Sequence, residues 1–226
     1  MKKHITTLFV GMALACSTAA YADSISDYVH LEVGVGASKF QPIGNMIWYQ
    51  DGLQHSLHME SPGFQIGLTG PIYRAENYGV DWHLDYVYLG SVNSQAVATT
   101  DENYDPVRKA VKSQSVVRSQ FNGLGNVNGV TLAIEPYFQY GGLRFGLLAG
   151  LFAYRATWHI TLYDPRVPEP THADYHPRIS LGAVTGVSVS RGPFSVRYQH
   201  FFDKPAAQEF PPIWSSTDMV TVMYRF

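Results

Sequence analysis

Eight stretches of this chain place apolar and polar or small residues alternately, position by position, and that period of two constrains the fold more than any other feature. Such alternation describes a β-strand with one apolar and one polar face. The first run sets Val29, Leu31, Val33, Val35 and Ala37 against His30, Glu32, Gly34, Gly36 and Ser38. The second sets Phe64, Ile66 and Leu68 against Gln65, Gly67 and Thr69, and the third Val80, Trp82, Leu84, Tyr86 and Tyr88 against Asp81, His83 and Asp85. In the fourth, Val130, Leu132, Ile134 and Phe138 alternate with Thr131, Ala133, Glu135, Tyr137 and Gln139. The fifth has Leu143, Phe145, Leu147, Ala149 and Leu151 opposite Arg144, Gly146, Leu148 and Gly150. The sixth pits Ile179, Leu181, Ala183, Val187 and Val189 against Arg178, Ser180, Gly182, Gly186 and Ser188. The seventh opposes Phe194, Val196 and Tyr198 to Ser195, Arg197 and Gln199, and the eighth ends the chain with Val220, Val222, Tyr224 and Phe226 opposite Thr221, Met223 and Arg225.

One such strand fits a soluble sandwich as well as a membrane barrel; the set does not. Runs of about nine to eleven residues match a tilted strand that crosses hydrocarbon. The connections alternate strictly: Gly70 to Gly79, Tyr140-Gly141-Gly142 and Ser190 to Pro193 are short. Gln41 to Ser61, Gly90 to Gly129, Tyr163 to His176 and Asp203 to Thr217 are longer. Outer-membrane barrels are wired in this way, with short periplasmic turns and long extracellular loops. A loop of about forty residues is out of place in a compact soluble domain. The expected fold is therefore all-β, an eight-stranded antiparallel up-and-down transmembrane β-barrel. Pro136 inside the fourth run predicts a bulge or an edge. A second bulge is expected near Ala153 to Arg155, beyond which Ala156, Trp158 and Ile160 carry the apolar face.

Composition agrees. Charged residues make up 15% of the chain, below the roughly 25% of an average soluble domain. The N-terminus reads as a leader: Lys2 and Lys3, an apolar core from Leu8 to Ala15, and an Ala20-Tyr21-Ala22 cleavage site. Residues 1–22 are expected to be removed, leaving 23–226 as the barrel. The mature chain then holds 14 basic against 18 acidic residues, and a nucleic-acid partner is excluded on net charge. The single cysteine, Cys16, lies in the leader and would be the acylation site of a lipoprotein, but Ala13 stands where Leu is preferred. No disulfide or thiolate chemistry remains in the mature chain.

The whole of 23–226 resembles the small eight-stranded outer-membrane barrels of the OmpA and OmpX type. The most specific part of the resemblance is the C-terminal run, where Val220, Val222, Tyr224 and Phe226 look like the signal by which the outer-membrane assembly machinery recognises its clients. The seventh run resembles the strand that carries the catalytic His-x-Ser of outer-membrane lipid A deacylases. His200 takes the histidine position, but Phe202 stands at the serine and cannot act as a nucleophile. Glu209 lies downstream, where such a triad would need its acid.

An eight-stranded interior is filled by side chains rather than by a pore. The inward set carries Glu32, Asp85 and Glu135 as acids and Arg144, Arg178, Arg197 and Arg225 as bases, with His30 and His83 nearby. Buried charges must be paired, so an internal ion-pair network is expected, with Arg144 and Arg197 the nearest partners for Glu135. His55 with His58, and His172 with Asp174 and His176, have spacings compatible with a divalent metal, but two histidines alone specify none. No cofactor is expected. In the long second loop Asp105-Pro106 is a helix-start signal, and Arg108, Lys109, Lys112 and Arg118 make the stretch basic. It reads either as a lipopolysaccharide contact or as a solvated loop, and Ser113 to Ser119 equally as an extension of a hairpin.

The favoured function is non-enzymatic: a barrel anchor whose extracellular loops meet outer-membrane lipids, lipopolysaccharide or an external partner. The alternatives are a lipid-modifying enzyme of the outer leaflet and a narrow channel for small hydrophobic solutes. The oligomeric state stays open.

Overall fold

Strands whose two faces differ this sharply must hide one face from the other's solvent, and closing the sheet on itself does so without leaving an edge. The computed structural model describes residues 28–42, 47–50, 53–101, 104–105, 110–111, 116–163, 168–175, 178–204 and 214–226. Eight strands form the closed wall. They are β1 (His30–Pro42), β4 (Glu60–Arg74), β5 (Tyr78–Asp101), β8 (Val116–Tyr140), β9 (Leu143–Tyr163), β11 (Ser180–Arg191), β12 (Phe194–Phe201) and β13 (Trp214–Arg225). Five short strands belong to the connections: β2 (Ile47–Gln50), β3 (Leu53–His58), β6 (Tyr104–Asp105), β7 (Ala110–Val111) and β10 (Thr171–Tyr175). Each wall strand pairs antiparallel with its chain neighbour, and β1 closes the circle on β13 with Glu32 opposite Arg225. Each of the eight alternating runs coincides with one of these strands, give or take a terminal residue or two.

One end of the barrel carries tight turns. Gly141 and Gly142, at φ 61° and 79°, join β8 to β9 in the left-handed backbone that a two-residue hairpin requires. The C-terminus lies at this end, where Phe226 N donates to Leu31 O at 2.9 Å and Arg225 N to Pro193 O at 2.8 Å. Aromatic pairs gird it: Phe194 with Tyr224 at 5.1 Å, Phe138 with Phe145 at 5.1 Å, and Tyr73 with Tyr78 at 6.0 Å. A second aromatic group, Phe64 with Tyr86 and Tyr88, stands further up the wall. Tyr78 and Tyr88 are ten positions apart on β5, roughly 33 Å of strand. At a tilt of about 40° this spans about 25 Å of bilayer, the height of an outer-membrane apolar band.

The wall is uneven. β12 and β13 have 8 and 12 residues, whereas β5, β8 and β9 have 24, 25 and 21. Above Tyr88 the sheet bulges, with Gly90 at φ 95°, and β5 and β8 stay paired up to Asp101 opposite Val116. β3 adds to the upper part of β5 and β2 to β3, while β10 adds to the upper part of β9. The result is a raised sheet in the order β2-β3-β5-β8-β9-β10.

Three expectations are corrected by the pairing. Pro136 makes no bulge: it sits opposite Val80 in the β5 ladder, and the β8–β9 register is the same on both sides of it. Nor does β9 slip near Ala153 to Arg155, because its pairing with β8 runs unbroken there. Tyr154, Ala156 and Trp158 are buried on the inward face; the upper interior is apolar, and the face keeps its direction while its chemistry changes. The helix-start signal of the long second loop opens no helix among the described residues. Asp105 lies in β6, Ala110 and Val111 form β7, and Arg118 lies in β8 opposite Thr99.

Candidate functional site

The interior divides into two layers. Toward the tight turns, β1 contributes Glu32, β5 contributes Asp81, His83 and Asp85, and β8 contributes Glu135. β9, β12 and β13 supply Arg144, Arg197 and Arg225. All are inward because they hold the same parity as the glycines and small residues of their strands. Arg197, 1% exposed, is the hub. Its Nη2 donates to Glu32 Oε2 at 3.1 Å and lies 3.7 Å from Glu135 Oε2, while Nη1 is 3.6 Å from Asp85 Oδ2. Arg144 bridges Asp81 at 2.8 Å and Glu135 at 3.0 Å, with its guanidinium 3.6 Å over the Tyr137 ring. Arg225 donates through Nε and Nη2 to Glu32 Oε1 at 2.8 and 2.7 Å. His83 stands between Glu135 Oε2 at 3.1 Å and Glu32 Oε2 at 3.4 Å.

Glycine makes room for this network. A Cβ at Gly67 would collide with the Asp85 carboxylate, and one at Gly146 with the carboxylate of Glu135 and the hydroxyl of Ser188. Ser188 Oγ donates to that same Glu135 oxygen at 3.0 Å. Glu32, His83 and Asp85 bring potential metal-ligand atoms within 4.8 Å of one another. The Arg197 guanidinium already supplies positive charge there, and a cation would have to compete with it. A vestibule of ≈ 290 Å³ opens at the tight-turn end, with Glu32, Arg144 and Arg225 among its lining.

Above the charged layer the interior is apolar: Phe40, Val87, Leu89, Phe152, Phe201, Trp214 and Met219 are fully or almost fully buried. Phe40 meets Trp214 edge-on at 5.4 Å, and Phe152 meets Phe201 at 5.0 Å. At its upper margin, just past β12, Asp203 is fully buried and accepts from Thr217 Oγ1 at 2.7 Å and Trp214 Nε1 at 3.2 Å. A polar hub sealed beneath packed aromatics is a plug.

The outer surface is the reverse of the interior. Every wall strand turns apolar side chains outward, among them Val35, Leu68, Leu84, Leu132, Leu151, Val187, Val196 and Val222, all well exposed. A continuous apolar belt of this extent has no place in water. With girdles about 25 Å apart and paired charges inside, it has one in hydrocarbon. The chain is an integral outer-membrane β-barrel. No protein-family model matches it, and no characterised protein matches it in sequence. Among solved structures it is similar to Ail, the attachment invasion locus protein of Yersinia pestis. Identity is 13%, with 88% of this chain and 99% of that one covered and a TM-score of 0.37. Neisserial surface protein A is also similar, at 12% identity, 87% and 95% coverage and a TM-score of 0.38. Ail has also been solved in complex with the heparin analogue sucrose octasulfate, and that structure matches at 12% identity over 88% and 97%, with a TM-score of 0.36.

Of the residues singled out in the sequence, Glu32, Asp85, Glu135, Arg144, Arg197 and Arg225 meet in the lower layer. Arg178 does not join them: it precedes β11 outside any strand and is exposed, because the inward parity begins only at Ser180. Asp81 and His83 do belong, and their place on the polar face of the third run is the signal for it. Val220, Val222 and Tyr224 face outward on β13, as does Phe226 just beyond it, and Tyr224 packs on Phe226 at 4.7 Å. Arg108, Lys109, Lys112, Glu209, His176 and residues 1–22 lie outside the described residues. His172 Nδ1 is 3.2 Å from Thr161 Oγ1, and Asp174 pairs with His159 at 2.8 Å.

His200 is outward and half-buried, edge-on to Phe202 at 4.6 Å. Among the described residues its acidic partner is Asp218 on the neighbouring strand, 2.7 Å from Nδ1. Sequence distance hides this pair; only the β12–β13 register places residue 200 opposite 218.

Proposed function

We propose that this protein is a non-enzymatic surface barrel, its short turns facing the periplasm and its raised sheet standing outside the cell as the element that meets an external partner. The observation that carries this is the height of one side of the wall. From Gly90 to Asp101 and from Val116 to Val127, β5 and β8 run on as paired strand for about 40 Å beyond the bulge above the upper aromatics. The added strands β2 and β10 end that sheet, each with one edge unpaired among the described residues. Free strand edges pair readily with another chain, so natural proteins seldom leave them bare without a use.

The channel reading has less support. A hydrophobic solute would need a continuous apolar path, and the Arg197 hub lies across it with the aromatic layer above. The enzyme reading keeps a carboxylate-oriented imidazole at His200, but the residue two places on is Phe202. The lipopolysaccharide contact of Arg108, Lys109, Lys112 and Arg118 stays a proposal of the same surface reading.

The test is to replace residues 92–125 by a two-residue Asn-Gly turn, which keeps the wall below the bulge. Bacteria displaying the full and shortened barrels are compared for attachment to protein-coated and polysaccharide-coated surfaces. Equal folded fractions with attachment lost in the shortened form are expected. Equal attachment would remove the raised sheet from the function.

A further inference from the structure

A polar row crosses the outer face of the barrel, from between the two aromatic girdles, where apolar side chains are the rule, up to the rim. Thr185 on β11, His200 on β12, Asp218 on β13, Lys39 on β1 and Glu60 on β4 are successive cross-strand neighbours. All hold outward parity. Asp218 is the centre: its Oδ1 accepts from Tyr198 Oη at 2.7 Å and faces His200 Nδ1 at 2.7 Å, and its Oδ2 accepts from Gln41 Nε2.

The row climbs across the tilted strands: its Thr185–His200–Asp218 end lies within the lipid-facing wall, whereas Lys39 and Glu60, four positions beyond the register pair Val35–Phe64 at the upper aromatics, reach the rim. Counted from the lower girdle residue Phe194, His200 lies six positions up β12, about 20 Å along the strand and about 15 Å along the normal. That is past the middle of a band about 25 Å tall. Apolar side chains continue above His200 and Thr185, with Phe202 at 48% exposure on the β12 side and Leu181 at 79% on β11. A charged residue on the lipid face is costly unless something answers it.

The cluster's free valences say what answers it. The carboxylate of Asp218 is consumed by three donors. What remains is the hydroxyl of Thr185 and the Nε2 of His200 toward lipid and, at the rim above them, the ammonium of Lys39, whose pairing with Glu60 at 3.9 Å is loose. With Nδ1 held on the carboxylate, Nε2 is left to accept from a hydroxyl. Together these fit a molecule with acyl chains in the band, hydroxyl groups at its upper edge and an anionic oxygen near Lys39.

We infer that this row is a binding site for a phosphorylated glycolipid of the outer leaflet, whose sugar and hydroxyacyl oxygens meet His200 and Thr185 and whose phosphate meets Lys39. The inference rests on the sidedness proposed above, which puts the row in the outer leaflet, and not on what the raised sheet binds.

The experiment compares wild type with the paired variant His200→Phe/Asp218→Val, which removes both partners together so that no lone charge faces lipid. Each is unfolded by urea from phosphatidylcholine vesicles and from the same vesicles containing rough lipopolysaccharide. The wild type is expected to gain at least tenfold in its folding equilibrium constant from the glycolipid, and the variant less than twofold. In phosphatidylcholine alone the variant is expected to equal or exceed the wild type. If wild type and variant gain equally, the site is overturned.

Should the variant not fold, native mass spectrometry of wild type decides. Retention of intact glycolipid, not displaced by its soluble phosphorylated disaccharide, supports the site; no retention, or equal retention of a dephosphorylated glycolipid, overturns it. Two controls separate failures. Retention lost on removing residues 92–125 assigns the lipid to the raised sheet and overturns the wall site. Maleimide access to a cysteine at position 93 in intact cells reads the sidedness on its own.

Discussion

Arg197 and Glu32, 165 positions apart in the chain, meet at 3.1 Å across the lumen, and around that contact three strands' worth of carboxylates converge on one guanidinium. Such a group is expensive to break, since removing one partner leaves the others charged, buried and unanswered. Arg197→Leu is expected to cost about 3–5 kcal/mol in urea unfolding from vesicles. Arg144→Leu should cost clearly less, because Arg144 borders the vestibule and its guanidinium is itself partly exposed, unlike that of Arg197. Equal losses for the two would mean that the hub is not Arg197.

The glycines beside the network carry a second expectation. Gly146→Val puts branched carbon where the Glu135 carboxylate and the Ser188 hydroxyl now meet. It should destabilise the barrel by about 1–3 kcal/mol, the usual penalty of overpacking. Gly141→Ala, whose added Cβ meets nothing within 4 Å, tests only backbone strain at φ 61° and should cost less. Urea midpoints of the two variants check the order.

Much of the fold is legible in the sequence, and the reason is geometric. A strand's period of two survives any closure of the sheet, so the inward parity of Glu32, Asp85, Glu135 and Arg197 can be read without knowing their neighbours. Parity does not report height, and height decides what an inward face is made of. In sequence Ala156 and Trp158 look like a change of face if an eight-stranded interior is polar throughout, whereas its upper layer is packed with aromatics. Ser91, Asn93 and Asn122 read as loop because strands standing above a membrane lose the apolar face that announces a strand. The pairing of His200 with Asp218 depends on register across β12 and β13, which no local pattern carries.

The two faces of β8 differ in what a charge should do there. Leu132 is outward and 57% exposed, so Leu132→Arg should cost about 2–4 kcal/mol if it lies near the midplane. Glu135→Gln exposes no charge to lipid but loosens Arg144, Arg197 and His83 together. Its signature should be a lowered urea midpoint that does not change with bilayer thickness, whereas that of Leu132→Arg should.

Alternate residues of one strand, β8, face lipid and a sealed interior. The natural cysteine is Cys16 alone, so with position 16 made serine, single cysteines at 130 to 135 can be labelled with a fluorophore and quenched by brominated lipid. Strong quenching at 130, 132 and 134 and weak quenching at 131, 133 and 135 is the predicted result. Uniform quenching, or the opposite parity, would contradict the barrel's inside and outside and with them the charge network.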